Sequence, residues 1–214
     1  MTKVVAEYTV DRLIGNRSAL REIIGQPSHR IKAKVIDHVD DLSRRFIAAS
    51  PFAVLATRRP EGGVDVTPRG DPPGFAVVLD EKTVALPERP GNRRADALEN
   101  ILVDPQVGLL FMIPGHNDVL RISGKASIVQ CKNLSARMTV KGHTPDLIIL
   151  IRVERLLSHC PKAVIRSSLW KPEGWPDRSD VPSLAELMVM HGELADSIDE
   201  MTSMIENDRR TRLY

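Results

Sequence analysis

Apolar positions change their spacing twice along this chain. Between residues 31 and 46, Ile31, Val35, Val39, Leu42 and Phe46 recur every three or four positions, the period of an amphipathic helix. Ser28 stands where it can cap the start, and the pattern predicts one helix of about four turns ending near Ala49. The pattern then shortens. "FAVLAT" (52–57) is a continuous apolar run closed by the polar turn "RRPEGG", and "GVDVTPRGD" (63–71) alternates as a half-buried strand does. "GFAVVLD" (74–80) and "KTVALP" (82–87), separated by Glu81, predict a tight hairpin. "QVGLLFMI" (106–113) reads as a buried strand. "DVLRISGKASIVQ" (118–130) alternates around Gly124, a bulge or barrel bend. "DLIILIRVERLL" (146–157) is the last long strand. Helices are predicted over 92–102 and near 133–140.

Six or seven strands joined by short turns, without alternating strand–helix–strand units, argue an antiparallel barrel and not a doubly wound sheet. After the linker "KPEGWPDRSDVP", the helical period returns. Leu184, Leu187, His191, Leu194, Ile198, Met201 and Ile205 fall at spacings of three and four, a coiled-coil-like seam of about three heptads. Two readings of it stay open: a helix packed on its own barrel, or one packed on a partner subunit. The fold class is therefore mainly β with helices (α+β), an antiparallel barrel with helical additions at both ends. Its segments are 1–49, helical; 50–172, the barrel; and 173–214, a linker and C-terminal helix.

A length of 214 residues, 42% hydrophobic, suits one compact domain with additions. A net charge of +2 projects no strong field toward nucleic acid or membrane. The run Arg209-Arg210-Thr211-Arg212 reads as a solvated tail, and 4% aromatics leave few stacking platforms for single strands. No apolar run approaches the ~18 residues of a membrane span, and "MTKVVAEYTVDR" lacks the apolar core of a signal peptide. Cys131 and Cys160 make neither a disulfide framework nor a metal motif, so a reduced, cytoplasmic protein is expected.

Catalytic motifs are missing. There is no G-x-G-x-x-G, no P-loop, no G-x-S-x-G elbow and no H-E-x-x-H, and the six histidines are scattered. No metal site and no catalytic residue is assigned. What remains is basic and polar residues at strand ends. Arg69 and Asp71 lie in "TPRGD", Arg93 and Arg94 in "LPERPGNRRADALENIL", and Lys162 and Arg166 in "SHCPKAVIRSSLW". Each has a plain account: Arg69–Asp71 as a turn ion pair, Lys162 and Arg166 as a solvated helix face. The Arg93–Arg94 pair is harder to dismiss. Read as the opening of the 92–102 helix, it works against a macrodipole that favours cations at the other end, by a few tenths of a kcal/mol or more. A bound anion reverses that sign, because free backbone N–H groups plus two guanidiniums make a phosphate site.

These blocks carry a resemblance. "FIAASPFAVLAT", "DVTPRGDPPGF", "LPERPGNRRADALENIL", "DPQVGLLFMIPG", "LRISGKA" and "HCPKAVIRSSLW" resemble the pyridoxamine 5′-phosphate oxidase-like flavoproteins. The likeness is closer to a bacterial FMN-binding subgroup with the PRGD, RPGNRR and HCPKA pattern. It covers roughly residues 45–172. The resemblance implies a split barrel, a homodimer, and FMN held in the groove between subunits. Arg93 and Arg94, with Asn92 before them, would then grip the FMN phosphate, and Leu86 and Pro87 would line the flavin. The strand Val66, Thr67, Pro68, Arg69, Gly70 would run along the isoalloxazine, with Arg69 reaching the ring or the phosphate. Trp170 resembles a late tryptophan that closes over the flavin from the second subunit. Lys162 and Arg166 would bind the flavin edge or an anionic substrate.

The chain departs from the vitamin-forming oxidases. Where their strand ends in a lysine after consecutive leucines, this one reads "VTPRGD", and their C-terminal Arg-x-His is absent. The flavin is carried over; pyridoxamine phosphate as substrate is not. The expected function is an FMN-dependent oxidoreductase acting on a small-molecule substrate or electron donor, with no nucleic-acid or membrane partner. Two alternatives stand beside it. One is a non-catalytic binder of flavin or haem, with His159 or His116 as axial ligand; the other is a reductase using a deazaflavin. Cys160 is expected to be a small buried residue without a covalent role.

Overall fold

The computed structural model describes residues 3–5 and 8–214, with side chains from Val10 onward. Residues 1, 2, 6 and 7 of the polar N-terminal stretch lie outside the described residues. The chain divides into two compact units, residues 1–35 and 36–214.

In the first unit β1 (Lys3–Val5) and β2 (Tyr8–Val10) form an antiparallel pair. Helix α1 (Arg17–Ile24) starts on Asn16, whose side chain accepts from the Ala19 N–H at 2.9 Å. It ends at Gly25, whose φ of 70° is a conformation glycine adopts without a Cβ penalty. A short α2 (His29–Ala33) follows.

The second unit holds α3 (Asp41–Ala49), β3 (Phe52–Arg58), β4 (Val64–Gly70), β5 (Val77–Asp80), β6 (Thr83–Pro87), α4 (Asp96–Val103), β7 (Gln106–Met112), β8 (Val119–Val129), α5 (Lys132–Arg137), β9 (Ile148–His159), α6 (Lys162–Arg166), α7 (Leu184–Gly192) and α8 (Ile198–Thr211). Seven strands form one antiparallel sheet in the order β4-β3-β7-β8-β9-β6-β5. Side chains from strands far apart in that order meet in a single core. Leu55 of β3, Phe111 of β7, Ile122 of β8, Ile151 of β9 and Val84 of β6 all belong to it. The sheet therefore curls around its inner face, while β4 and β5 stay unpaired with each other. This is a split antiparallel barrel: the alternation predicted the barrel, and the resemblance implied the split.

The long pair β8–β9 explains Gly124. Register slips between Ser123 and Gly124, so that Ser123 faces Arg155 while Gly124 faces Val153, and Glu154 is the extra residue. The bulge reverses parity on β9: Ile149, Ile151 and Val153 point inward, then Leu156 does. A Cβ at Gly124 would stand 2.0 Å from the Arg152 carbonyl oxygen, so only glycine fits opposite the bulge. On the other side of β6 and β9, Leu134 and Met138 pack over Ala85 and Ile148 in a smaller cluster.

Three predicted helices change. The helix over 31–46 is two helices. Ile36 bridges to Leu156, the Val39 N–H donates to the Glu81 carbonyl at 2.7 Å, and Asp40 accepts from the Ser43 N–H at 2.8 Å to start α3 afresh. Backbone bonds to the sheet outcompete a helical period that was continuous in the sequence. The 92–102 helix begins later, at Asp96, after Arg93 and Ala95 adopt positive φ of 64° and 58°. The C-terminal seam is broken between α7 and α8. Glu193 turns left-handed with φ 48°, and Ser197 with Glu200 forms a capping box that begins α8. The two helices pack on each other; of the predicted seam Met201 is buried, while Leu184, Leu187, Leu194 and Ile198 stay exposed.

Candidate functional site

Four residues at two strand ends organise the site. Arg69 is the penultimate residue of β4 and Asp71 follows the strand; Glu88 and Arg89 follow β6. These strands do not pair in the sheet, yet their ends are joined by two crossed ion pairs. Arg69 Nη1 donates to Glu88 Oε2, and Arg89 Nε donates to Asp71 Oδ2 at 2.6 Å. The turn pair Arg69–Asp71 considered from the sequence is not formed. Each residue takes its partner from the other strand end instead.

The two pairs are anchored differently. Arg89 also donates from Nη2 to the Met138 carbonyl at 2.7 Å and from Nη1 to that of His143 at 3.2 Å. Asp71 accepts from the Tyr214 hydroxyl at 2.8 Å, and its side chain is 1% exposed. That hydrogen bond from the phenol to Asp71 pushes the Tyr214 pKa up from its usual value. The Tyr214 ring stacks on His143 with centroids 5.8 Å apart, with Arg89 and Lys141 over its faces. Among the described residues Arg69, by contrast, has Glu88 alone, and its buried Nε has no partner.

Arg69 forms a wall of a cavity of about 460 Å³ lined by β4, Phe75, Pro87 to Asn92 and Arg94 to Leu98. The far wall is the start of α4. That helix is pinned by Asn100, which is buried and donates from Nδ2 to Thr57 Oγ1 at 3.0 Å and to Asp65 Oδ2 at 2.8 Å. The basic pair lies before this helix, not on it. The helix itself carries Asp96 and Glu99 in its first turn, the charge sign its dipole favours, so the apparent conflict dissolves. Arg94 ties back: its N–H donates to Asn92 Oδ1 at 3.1 Å and its Nε to Asp96 Oδ2 at 2.8 Å, which raises its already high pKa. A second hollow of about 510 Å³, between His143 to Leu147 and Tyr214, shares Glu88, Arg89 and Pro90 with the first.

Of the residues singled out in the sequence, Val66, Thr67, Pro68, Arg69, Gly70, Pro87, Asn92 and Arg94 line the first cavity together. Leu86 points into the core and is fully buried. Arg93 is exposed on the loop beside the cavity. Lys162 and Arg166 are exposed on α6, and Trp170 donates from its ring N–H to the His116 carbonyl at 2.8 Å; none of the three lines this cavity in a single chain. Cys160 is exposed, not buried as expected, because it follows the last residue of β9 where the strand has left the core. Asp65, Glu88, Arg89, Asn100 and Tyr214 were not found from the sequence. Only Glu88 and Arg89 carried a signal, as a charged pair inside the block 86–102.

Among the described residues no group of His, Cys, Asp or Glu is arranged to hold a metal ion, and no helix is long and apolar enough to cross a membrane. Curated protein sequences give no match to this chain. Solved structures do resemble it. HupZ of Group A Streptococcus is 17% identical, covering 55% of this chain and 91% of that one, with a TM-score of 0.45. General Stress Protein 26 of Bacillus anthracis is also 17% identical, covering 53% and 88%, with a TM-score of 0.42. An FMN-binding protein of Syntrophomonas wolfei is 11% identical, covering 55% and 83%, with a TM-score of 0.44. The pyridoxamine 5′-phosphate oxidase family model matches residues 39–160, more than half of the sequence and all strands from β3 to β9, and the chain therefore belongs to that family.

Proposed function

We propose that this chain binds FMN in the cavity between β4, the end of β6 and the start of α4, and acts as an FMN-dependent oxidoreductase on a small molecule. One observation carries the reading beyond family membership. The Arg69 guanidinium, tied to Glu88 through Nη1, stands in the wall of a cavity that Arg94 also lines, and guanidiniums gathered at a cavity wall are a place for a ligand oxyanion. A volume of about 460 Å³ falls within the ~300–1,000 Å³ typical of cofactor sites.

The residues present fit the group. Arg93 and Arg94, with Asn92, stand on the loop that would take the phosphate, where guanidiniums can fork onto an oxyanion. Val66 to Gly70 and Pro87 offer an extended backbone and a flat apolar surface for the ring. When bound, the flavin supplies hydride or electron transfer, and the protein's share is orientation and a water-poor surface. This accords with a chain in which no catalytic side chain was assigned. A second copy is part of the proposal. The edge strand β4 exposes Val64 and Val66 at 58% and 66%, and the end of α4 exposes Leu102 and Val103 at 75% and 65%; a homodimer would cover them. Lys162, Arg166 and Trp170 would then act on the partner's flavin. A cytoplasmic setting goes with the same reading.

The test is the visible spectrum of the purified protein together with an FMN titration. Flavin bands, or uptake of added FMN near one per chain, are expected. A colourless protein that takes up no FMN overturns the proposal, and a Soret band in its place would assign the groove to haem.

A further inference from the structure

We propose that Glu88 is an internal competitor for Arg69: it holds the guanidinium while the cavity is empty of ligand and gives it up to the acceptor group of the incoming FMN. The inference rests on the FMN reading above.

The two crossed pairs differ in a way a purely structural clasp would not. Arg89 has three different partners, Asp71 and two backbone carbonyls, and Asp71 uses one oxygen for Arg89 and the other for Tyr214. That half is fixed, with both Asp71 oxygens engaged away from Arg69. Among the described residues Arg69 has one partner only, and its Nε is buried with none. The guanidinium presents five N–H donors in a rigid fork, so a bidentate acceptor would satisfy it better than the single contact now made.

Glu88 also has somewhere to go. It is 22% exposed and lines both hollows, the 460 Å³ cavity and the 510 Å³ one beyond Arg89. Rotation of its side chain toward the second hollow frees Arg69 without moving β4 or β6. Left in place, its charge faces an anionic ligand across the same wall, and like charges there lower affinity. Glu88 thus sets how tightly the cavity holds an anion.

The experiment titrates FMN and riboflavin into wild type and Glu88→Gln by flavin fluorescence, and measures the thermal midpoint of each without ligand. Glu88→Gln keeps the shape and removes the charge. It is expected to bind FMN about three- to tenfold tighter, the range a partly buried charge pair supports, with an unliganded midpoint equal to or below wild type. Tightening of FMN alone identifies the phosphate as the group that meets Arg69; tightening of both flavins identifies the ring. Should Glu88→Gln fold poorly, Glu88→Ser carries the same expectation. If wild type binds FMN and the variants bind it no tighter, Glu88 is a staple and the competition is overturned. If neither wild type nor variant takes up flavin, the FMN reading itself is overturned, a result distinct from the first.

Discussion

Asp71 and Arg89 meet at 2.6 Å between strand ends that share no backbone ladder, and the carboxylate is 1% exposed. A buried charge pair contributes little net stability when whole, because desolvation offsets attraction. Its value here is geometric. It holds the loop after β6 against the end of β4, and that loop carries Glu88, Asn92 and Arg94 into the cavity wall.

Breaking the pair is another matter. Asp71→Asn leaves Arg89 without a counter-ion while its other donors stay bound to two carbonyls. The expected loss is about 3–5 kcal/mol, the usual cost of orphaning a buried charge. Urea unfolding of the variant against wild type measures it. A loss under ~1 kcal/mol would mean the pair is solvated like a surface bridge.

Gly124→Ala should be costly for a different reason. The new Cβ would meet the Arg152 carbonyl oxygen at 2.0 Å, and the obstacle is backbone, not a movable side chain. Relief requires undoing the bulge at Glu154, which would turn Leu156 out of the core. A destabilisation of about 2 kcal/mol or more is expected, at the upper side of ordinary overpacking. Thermal unfolding checks it, with Gly108→Ala in β7 as the mild control, since a Cβ there meets only the Ala56 methyl at 3.9 Å.

The barrel was legible because its signals are local. Alternation in 63–71 and 118–130, the tight turn at Glu81, and Gly124 each act within a few residues and needed no partner to be read. The doublet Glu154-Arg155 in "IRVERLL" even marks the bulge, since two successive polar residues interrupt an inward alternation. Helix ends were not legible where distant groups decide them. The break after Ala33 depends on carbonyls of Glu81 and Leu156, far along the chain. The site followed the same rule. The stretches 66–70 and 87–94 were recognisable as blocks, but the crossing of Arg69 to Glu88 and of Arg89 to Asp71 depends on which strand ends the sheet brings together. Tyr214 was invisible for the same reason: it is separated from Asp71 by 143 positions.

Arg94→Ala should weaken FMN binding without unfolding the chain. The Arg94 side chain is exposed and among the described residues holds only Asp96, while its backbone bond to Asn92 survives the change, so no buried group is left unpaired. Losing a charge-assisted contact to phosphate costs about 1.5–3 kcal/mol, roughly one to two decades in affinity. Riboflavin, without the phosphate, should bind both proteins almost equally. Isothermal titration with the two flavins reads the difference, and equal FMN affinity would leave Arg94 as a partner for Asp96 alone.

Tyr214 should report on the Asp71 pair by its titration. Its phenol donates to the carboxylate, so ionising it would break the hydrogen bond and place two negative charges together, and its pKa is raised above 10.0. The sign follows from linkage. A raised pKa in the folded state means the contribution is fully present below the unfolded value, near 10, and is lost as pH climbs through the folded value. Docking of the segment after α8 should therefore hold through neutral pH and loosen only in strong alkali. The chain has one other tyrosine, Tyr8, so Tyr8→Phe leaves a single phenol whose absorbance can be followed during alkaline titration. The midpoint is expected above that of free tyrosine and should fall toward it when Asp71→Asn is added. Phenolate appearing at the ordinary pKa in the Tyr8→Phe protein would show that Tyr214 does not rest on Asp71 in solution.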